Sequence, residues 1–245
     1  MDALGLLFAF ASLTVYPGGL YLAFVALGVR RAARLPASEE RLTPAGWLAM
    51  VSGCAAVSLV PLPGSPVSSL PPNGGVSPNL VAAALLLSVA VGLGAGGGWT
   101  RRRLIIALAV VIAGIMVAAA TASLSLTVIT GIPGATLSAA RACAAAALLV
   151  GAPVLCQAYS RTPVITRAVL LSSLTIFALS LVVSPQRQGW QALAAAMIVA
   201  IAAVAYAALL GVVRHYASRE HVLFVAVSLG AATASTILAL GVARP

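Results

Sequence analysis

The sequence predicts an all-α fold: a polytopic membrane protein of about eight transmembrane helices, both termini outside, forming a single transmembrane helical domain over residues 1–245. Three observations lead there. The chain is 62% hydrophobic and 7% charged, whereas soluble globular domains carry roughly 25% charged residues. A core in water needs a charged surface that this chain cannot supply, and lipid tails remove that need. Apolar runs recur at about the 20 residues a spanning helix requires. The arginines, finally, alternate between connectors in the way the positive-inside rule demands.

The first run, 3–29, begins with Asp2 and no positive segment and is longer than a signal h-region, so it is expected to be retained. It exits into "GVRRAARLPASEERLTP", 28–44, which holds Arg30, Arg31, Arg34 and Arg41 together with Glu39 and Glu40. The second run, 44–62, is the shortest and ends in "PLPG". A connector with five prolines and no charge follows, 62–79, whose turn chemistry predicts an irregular cap rather than a domain.

The third run, 79–98, closes on "GLGAGGGW". Gly92, Gly94 and Gly97 have GxGxxG spacing, but a dinucleotide site needs a strand before that motif and a helix after it. Here the glycines end a membrane helix, and the expected role is close helix packing. The fourth run, 104–131, is long enough to tilt or kink and carries Thr121, Ser123, Ser125, Thr127 and Thr130. Those hydroxyls fit close helix contacts and leave a polar solute path open. "GIPGA", 131–135, separates it from the fifth run, 137–158. Arg141, near the start of the fifth run, is expected to snorkel to the outer interface. The remaining runs are 163–184, 189–213 and 221–243.

With these spans, eleven arginines fall in the connectors after helices 1, 3, 5 and 7, and Arg141, Arg187 and Arg244 fall on the opposite side. That asymmetry places the odd-numbered connectors in the cytoplasm, in a cell inner or plasma membrane. The formal charge of +10 comes from arginine alone, spread over connectors without an aromatic-rich basic domain, so no nucleic-acid partner is expected.

Cys54, Cys143 and Cys156 sit in apolar runs without CxxC spacing and are read as packing residues. His215 and His221, six apart, share no helix face and have no nearby Cys or Asp, so no metal site is expected. The four carboxylates, Asp2, Glu39, Glu40 and Glu220, all lie outside the predicted spans. Proton relays and intramembrane cation sites usually need buried ionisable groups. The chain is therefore a poor self-contained ion pump, and no hydrolase triad is visible.

"YPGGLYLAFVALGVRRAARL", 16–35, resembles the first helix of the membrane subunit with an eight-helix core in the NADH-quinone oxidoreductase (complex I) family and in its membrane-bound hydrogenase relatives. Pro17, Gly18, Arg30, Arg31 and Arg34 carry that likeness, and 214–238 resembles the family's basic last connector and final helix. The family's acidic third cytoplasmic loop has no counterpart in "AYSRTPVITR", 158–167. The resemblance thus implies a membrane-anchor subunit that docks peripheral redox subunits and contacts other membrane subunits. It binds no cofactor of its own, with quinone at most at a subunit interface. Arg30, Arg31, Arg34, Glu39, Glu40, Arg41, Arg219 and Glu220 are the docking candidates. A small-solute permease and a lipid-modifying enzyme are the other classes, and neither has the buried ionisable residues or half-repeat it would call for.

Overall fold

A computed structural model describes residues 3–35, 42–69, 79–94, 99–157, 163–183, 187, 189–216 and 221–243, except for the side chains of 69, 157, 213–216 and 221. The described residues form helices and no strand: α1 (Ala3–Thr14), α2 (Gly19–Ala32), α3 (Pro44–Ser58), α4 (Pro66–Ser69), α5 (Leu80–Gly94), α6 (Arg101–Ala120), α7 (Leu126–Gly131), α8 (Ala135–Gln157), α9 (Val164–Ser180), α10 (Trp190–Tyr216) and α11 (His221–Ala243). Five spans are long and apolar enough to cross a membrane: Ala3–Ala32 taken across its break, Arg101–Ala120, Ala135–Cys156, Trp190–Val212 and Val222–Ala243. This is the pattern of a multi-pass membrane protein. Apolar helices α3, α5 and α9 are shorter, 10–17 residues each. At 1.5 Å per residue they fall short of a hydrocarbon core about 30 Å thick.

One of these shorter helices, α9, is also the most sheltered. In α9 every residue except Ile165, Arg167 and Leu179 is buried, because α2, α3, α5, α8 and α10 pack around it. Such a helix needs residues without polar demands on any face. Its hydroxyls meet this by bonding to their own backbone: Ser172 to the Ala168 carbonyl, Ser173 to Val169, Thr175 to Leu171 and Ser180 to Phe177, at 2.7–2.8 Å. Glycine lets neighbours come close. A Cβ on Gly94 of α5 would lie 2.4 Å from Leu170, and one on Gly53 of α3 would lie 2.8 Å from the Ser173 hydroxyl. The packing role expected for the "GLGAGGGW" glycines therefore holds at Gly94; Gly97 lies outside the described residues.

Helices α8 and α11 make the most extensive pairing. Ser228 donates to the Ala147 carbonyl at 2.7 Å and Ser235 to the Ala140 carbonyl at 2.8 Å, so the two helices run antiparallel. Both serines are fully buried, and Ala232 and Ala239 are buried on the same face. Small residues at this spacing bring two backbones close enough for a serine to reach across.

Two expected continuous helices are broken. The first run divides at Val15–Gly18 into α1 and α2, with the Tyr16–Pro17 peptide cis. Proline denies the Leu13 carbonyl its helical donor. The backbone is so crowded at this break that a Cβ on Gly18 would lie 2.5 Å from the Ser12 and Leu13 carbonyl oxygens, and one on Gly19 would lie 2.6 Å from that of Thr14. The fourth run divides at Thr121–Ser125 into α6 and α7. Thr121 Oγ1 there donates to the Ala118 carbonyl at 2.9 Å, and the Ser123 hydroxyl accepts from the Ser125 amide at 3.1 Å. These hydroxyls serve a turn, not a face of one helix.

Candidate functional site

The exposed end of α2 is the one part of the expected docking surface that falls on described residues. Leu22, Val25, Ala26 and Val29 recur at helical spacing and are buried against α9 and α10, while Leu20, Phe24 and Leu27 face outward. Tyr21 fixes the helix laterally by donating to the Ala196 carbonyl of α10 at 2.8 Å. Gly28 lets Val204 approach to where a Cβ would be 2.7 Å from its Cγ2. Just beyond this anchored stretch, Arg30, Arg31 and Arg34 are exposed.

The helix ends in a Schellman arrangement. The Leu35 amide donates to the Arg30 carbonyl at 3.4 Å and the Arg34 amide to that of Arg31 at 3.3 Å. Arg34 occupies the left-handed position of this motif, with φ of 46°. Glycine is the usual residue there, because an L side chain costs about 1–2 kcal/mol in that region. Arg30 and Arg31 complement the negative end of the helix dipole. Glu39, Glu40, Arg41, Arg219 and Glu220 lie outside the described residues, so three of the eight docking candidates are brought together and five are not described. His215 and His221 belong to helices, but their side chains are not described.

Arginine does different work inside the fold. The sequence groups Arg103 with solvated connector arginines, yet it is 1% exposed and donates to the Leu155 carbonyl at 3.3 Å. That carbonyl belongs to the last turn of α8. Arg141 is held by protein groups. It is 7% exposed and donates to the Ile129 carbonyl at 2.8 Å, the Ile132 carbonyl at 3.5 Å and the Ser138 hydroxyl at 2.9 Å. The reason lies in Pro133, which has no N–H to give the carbonyl four residues back, that of Ile129. Pro153 inside α8 frees the Leu149 carbonyl in the same way, and the Tyr206 hydroxyl of α10 donates to it. The signal for both was present as a proline four residues after the orphaned carbonyl. What could not be read was which distant side chain arrives.

All four carboxylates lie outside the described residues. Just before the first turn of α6, Trp99 lines an apolar crevice between α5 and α6; sequence reasoning did not single it out. Comparison of the chain with family models, with curated proteins and with solved structures finds no match.

Proposed function

We propose that the chain is the membrane-anchor subunit of a multi-subunit respiratory oxidoreductase in a plasma or cell inner membrane, with both termini outside. The exposed end of α2 docks an acidic peripheral redox subunit. The observation that carries the reading is Arg34, a charged side chain held in a left-handed position where glycine costs less, beside exposed Arg30 and Arg31. Orientation alone would be served by any solvated cation. Guanidinium groups clamp carboxylates through two parallel hydrogen bonds, and lysine does not. The absence of carboxylates from the described helices agrees with an anchor that leaves redox chemistry to its partners. The likeness of 16–35 to the first helix of a complex I membrane protein supplies the kind of complex; quinone would enter only at a subunit interface.

The test replaces Arg30, Arg31 and Arg34 together by lysine. Contacts of this kind, once desolvated, cost about 2 kcal/mol or more each when truncated. The variant is expected to keep its expression and orientation and to lose an iron–sulfur or flavin subunit on affinity purification. Retention of every co-purifying protein at parental yield refutes docking at this face. A wild type that brings down no redox subunit refutes the anchor reading.

A further inference from the structure

We propose that the crevice between α5 and α6 holds an acyl chain of an anionic phospholipid, whose headgroup sits on Arg101 and Arg102. Although consecutive, these helices touch little: α5 packs on α3, and α6 on α8 and α11. The gap is an apolar crevice, half open to the outside, and Leu87, Val91, Val110, Leu148 and Phe177 are among its lining residues. The same two helices carry exposed apolar side chains, Leu85 and Val89 on α5 and Leu104, Leu108 and Ile112 on α6. In a bilayer those residues meet lipid tails, so a hydrocarbon chain is the medium that reaches the opening.

One end of the crevice is built for a headgroup. Trp99 lines the crevice and is 43% exposed. Its indole lies against Gly92, where a Cβ would be 3.2 Å from Nε1. Tryptophan is enriched at headgroup depth, and Trp99 stands between an apolar run and the arginines that open α6. The next residues but one, Arg101 and Arg102, are exposed in the first turn of α6. Cations at a helix N-terminus oppose its dipole, so their placement does nothing for the helix itself. The group that complements two exposed guanidinium groups beside an apolar crevice is an anion carried on a hydrocarbon chain, and a phospholipid phosphate is that anion in a bilayer. Basic sites between membrane helices take acidic headgroups for this reason.

Trp99 is also the reporter. The protein with Trp47→Phe and Trp190→Phe keeps Trp99 alone and is reconstituted in vesicles of phosphatidylcholine and phosphatidylglycerol, with bromine on the acyl chains of one lipid at a time. Quenching by brominated phosphatidylglycerol is expected to report a preference of about fivefold or more over phosphatidylcholine at equal mole fraction. Arg101→Gln with Arg102→Gln should bring the ratio to about one, and the corresponding Lys pair should keep it. Ala107→Leu, which narrows the crevice and leaves both charges, should lower quenching by both lipids. A protein with Trp190 as its single tryptophan should show no preference, because that residue opens α10 and is 85% exposed.

Equal quenching of Trp99 by both lipids overturns the proposal. So does an equal preference at Trp190, which would be bulk attraction to a basic protein. Quenching by a long-tailed quinone that the Gln pair leaves unchanged would show a crevice for uncharged tails, and that too overturns it. Partner loss at α2 and lipid preference at α6 are separate readouts, so either proposal can fail alone.

Discussion

The arginines at the end of α2 and those buried around α8 have the same side chain in a chain that uses no lysine. Arg30 and Arg31 in the last turn of α2, and Arg34 just past its end, are exposed. Arg103 and Arg141 are buried, and they donate to backbone carbonyls near the ends of α8 and α7. The difference is set by whether water can reach the last carbonyls of a helix. Where it can, the charge is left over for something else. Where it cannot, an unmet carbonyl costs about 1–3 kcal/mol, and a guanidinium with several donors in one plane is the side chain best suited to remove that cost.

The strongest way to break this distinction is Arg141→Met. It strips the Ile129 and Ile132 carbonyls of donors at the C-terminal end of α7. Hydrogen bonds to charged groups are worth about 1.5–3 kcal/mol, and a loss near the upper value is expected in unfolding by SDS from mixed micelles. Arg141→Lys should recover part of it, since an ammonium reaches fewer carbonyls. Stability within about 0.5 kcal/mol of the parent would mean that Arg141 is not a cap at all.

Next in size is Tyr206→Phe, expected to cost about 1–2 kcal/mol by orphaning the Leu149 carbonyl. Pro153→Ala sharpens the test, because residue 153 then regains an amide to give that carbonyl. In the double variant the cost of losing the hydroxyl should fall to near zero, a coupling of about 1 kcal/mol. Additive costs would show that Tyr206 answers some other need. Smaller again are Ser228→Ala and Ser235→Ala, at about 0.6 kcal/mol each, the average for hydrogen bonds between membrane helices. The two serines sit two turns apart on α11, so their costs should add.

Hydropathy made the helical class legible, since runs such as 221–243 and 189–213 became α11 and most of α10. It did not reveal the breaks. Tyr16–Gly18 and Thr121–Ser125 lie among apolar residues, and a scale that scores side chains cannot see backbone groups losing their partners. It also read 163–184 as one crossing among equals, whereas α9 is the enclosed centre of the described helices. Position in a bundle depends on which neighbours arrive, and the sequence of one helix does not hold that. Arg103 was misjudged for the same reason: beside Arg101 and Arg102 it reads as one of three, and only the turn of α6 points it inward. The candidate site was legible as composition, in "RRAAR", but not as the left-handed backbone at Arg34.

The smallest expected effect separates charge from conformation at that residue. Arg34→Gly removes an L side chain from a left-handed position, a gain of about 1 kcal/mol. It also frees the unfolded chain, a loss of about 0.4–1 kcal/mol. The two nearly cancel, so unfolding should shift by less than about 0.5 kcal/mol. Arg34→Ala keeps the backbone demand and removes only the charge and stem, so it should be less stable than the Gly variant. If Arg34 serves a partner, both variants should lose that partner equally while differing in stability. Partner retention that follows stability instead, high in Gly and low in Ala, would make Arg34 a feature of the helix end and leave Arg30 and Arg31 as orientation charges.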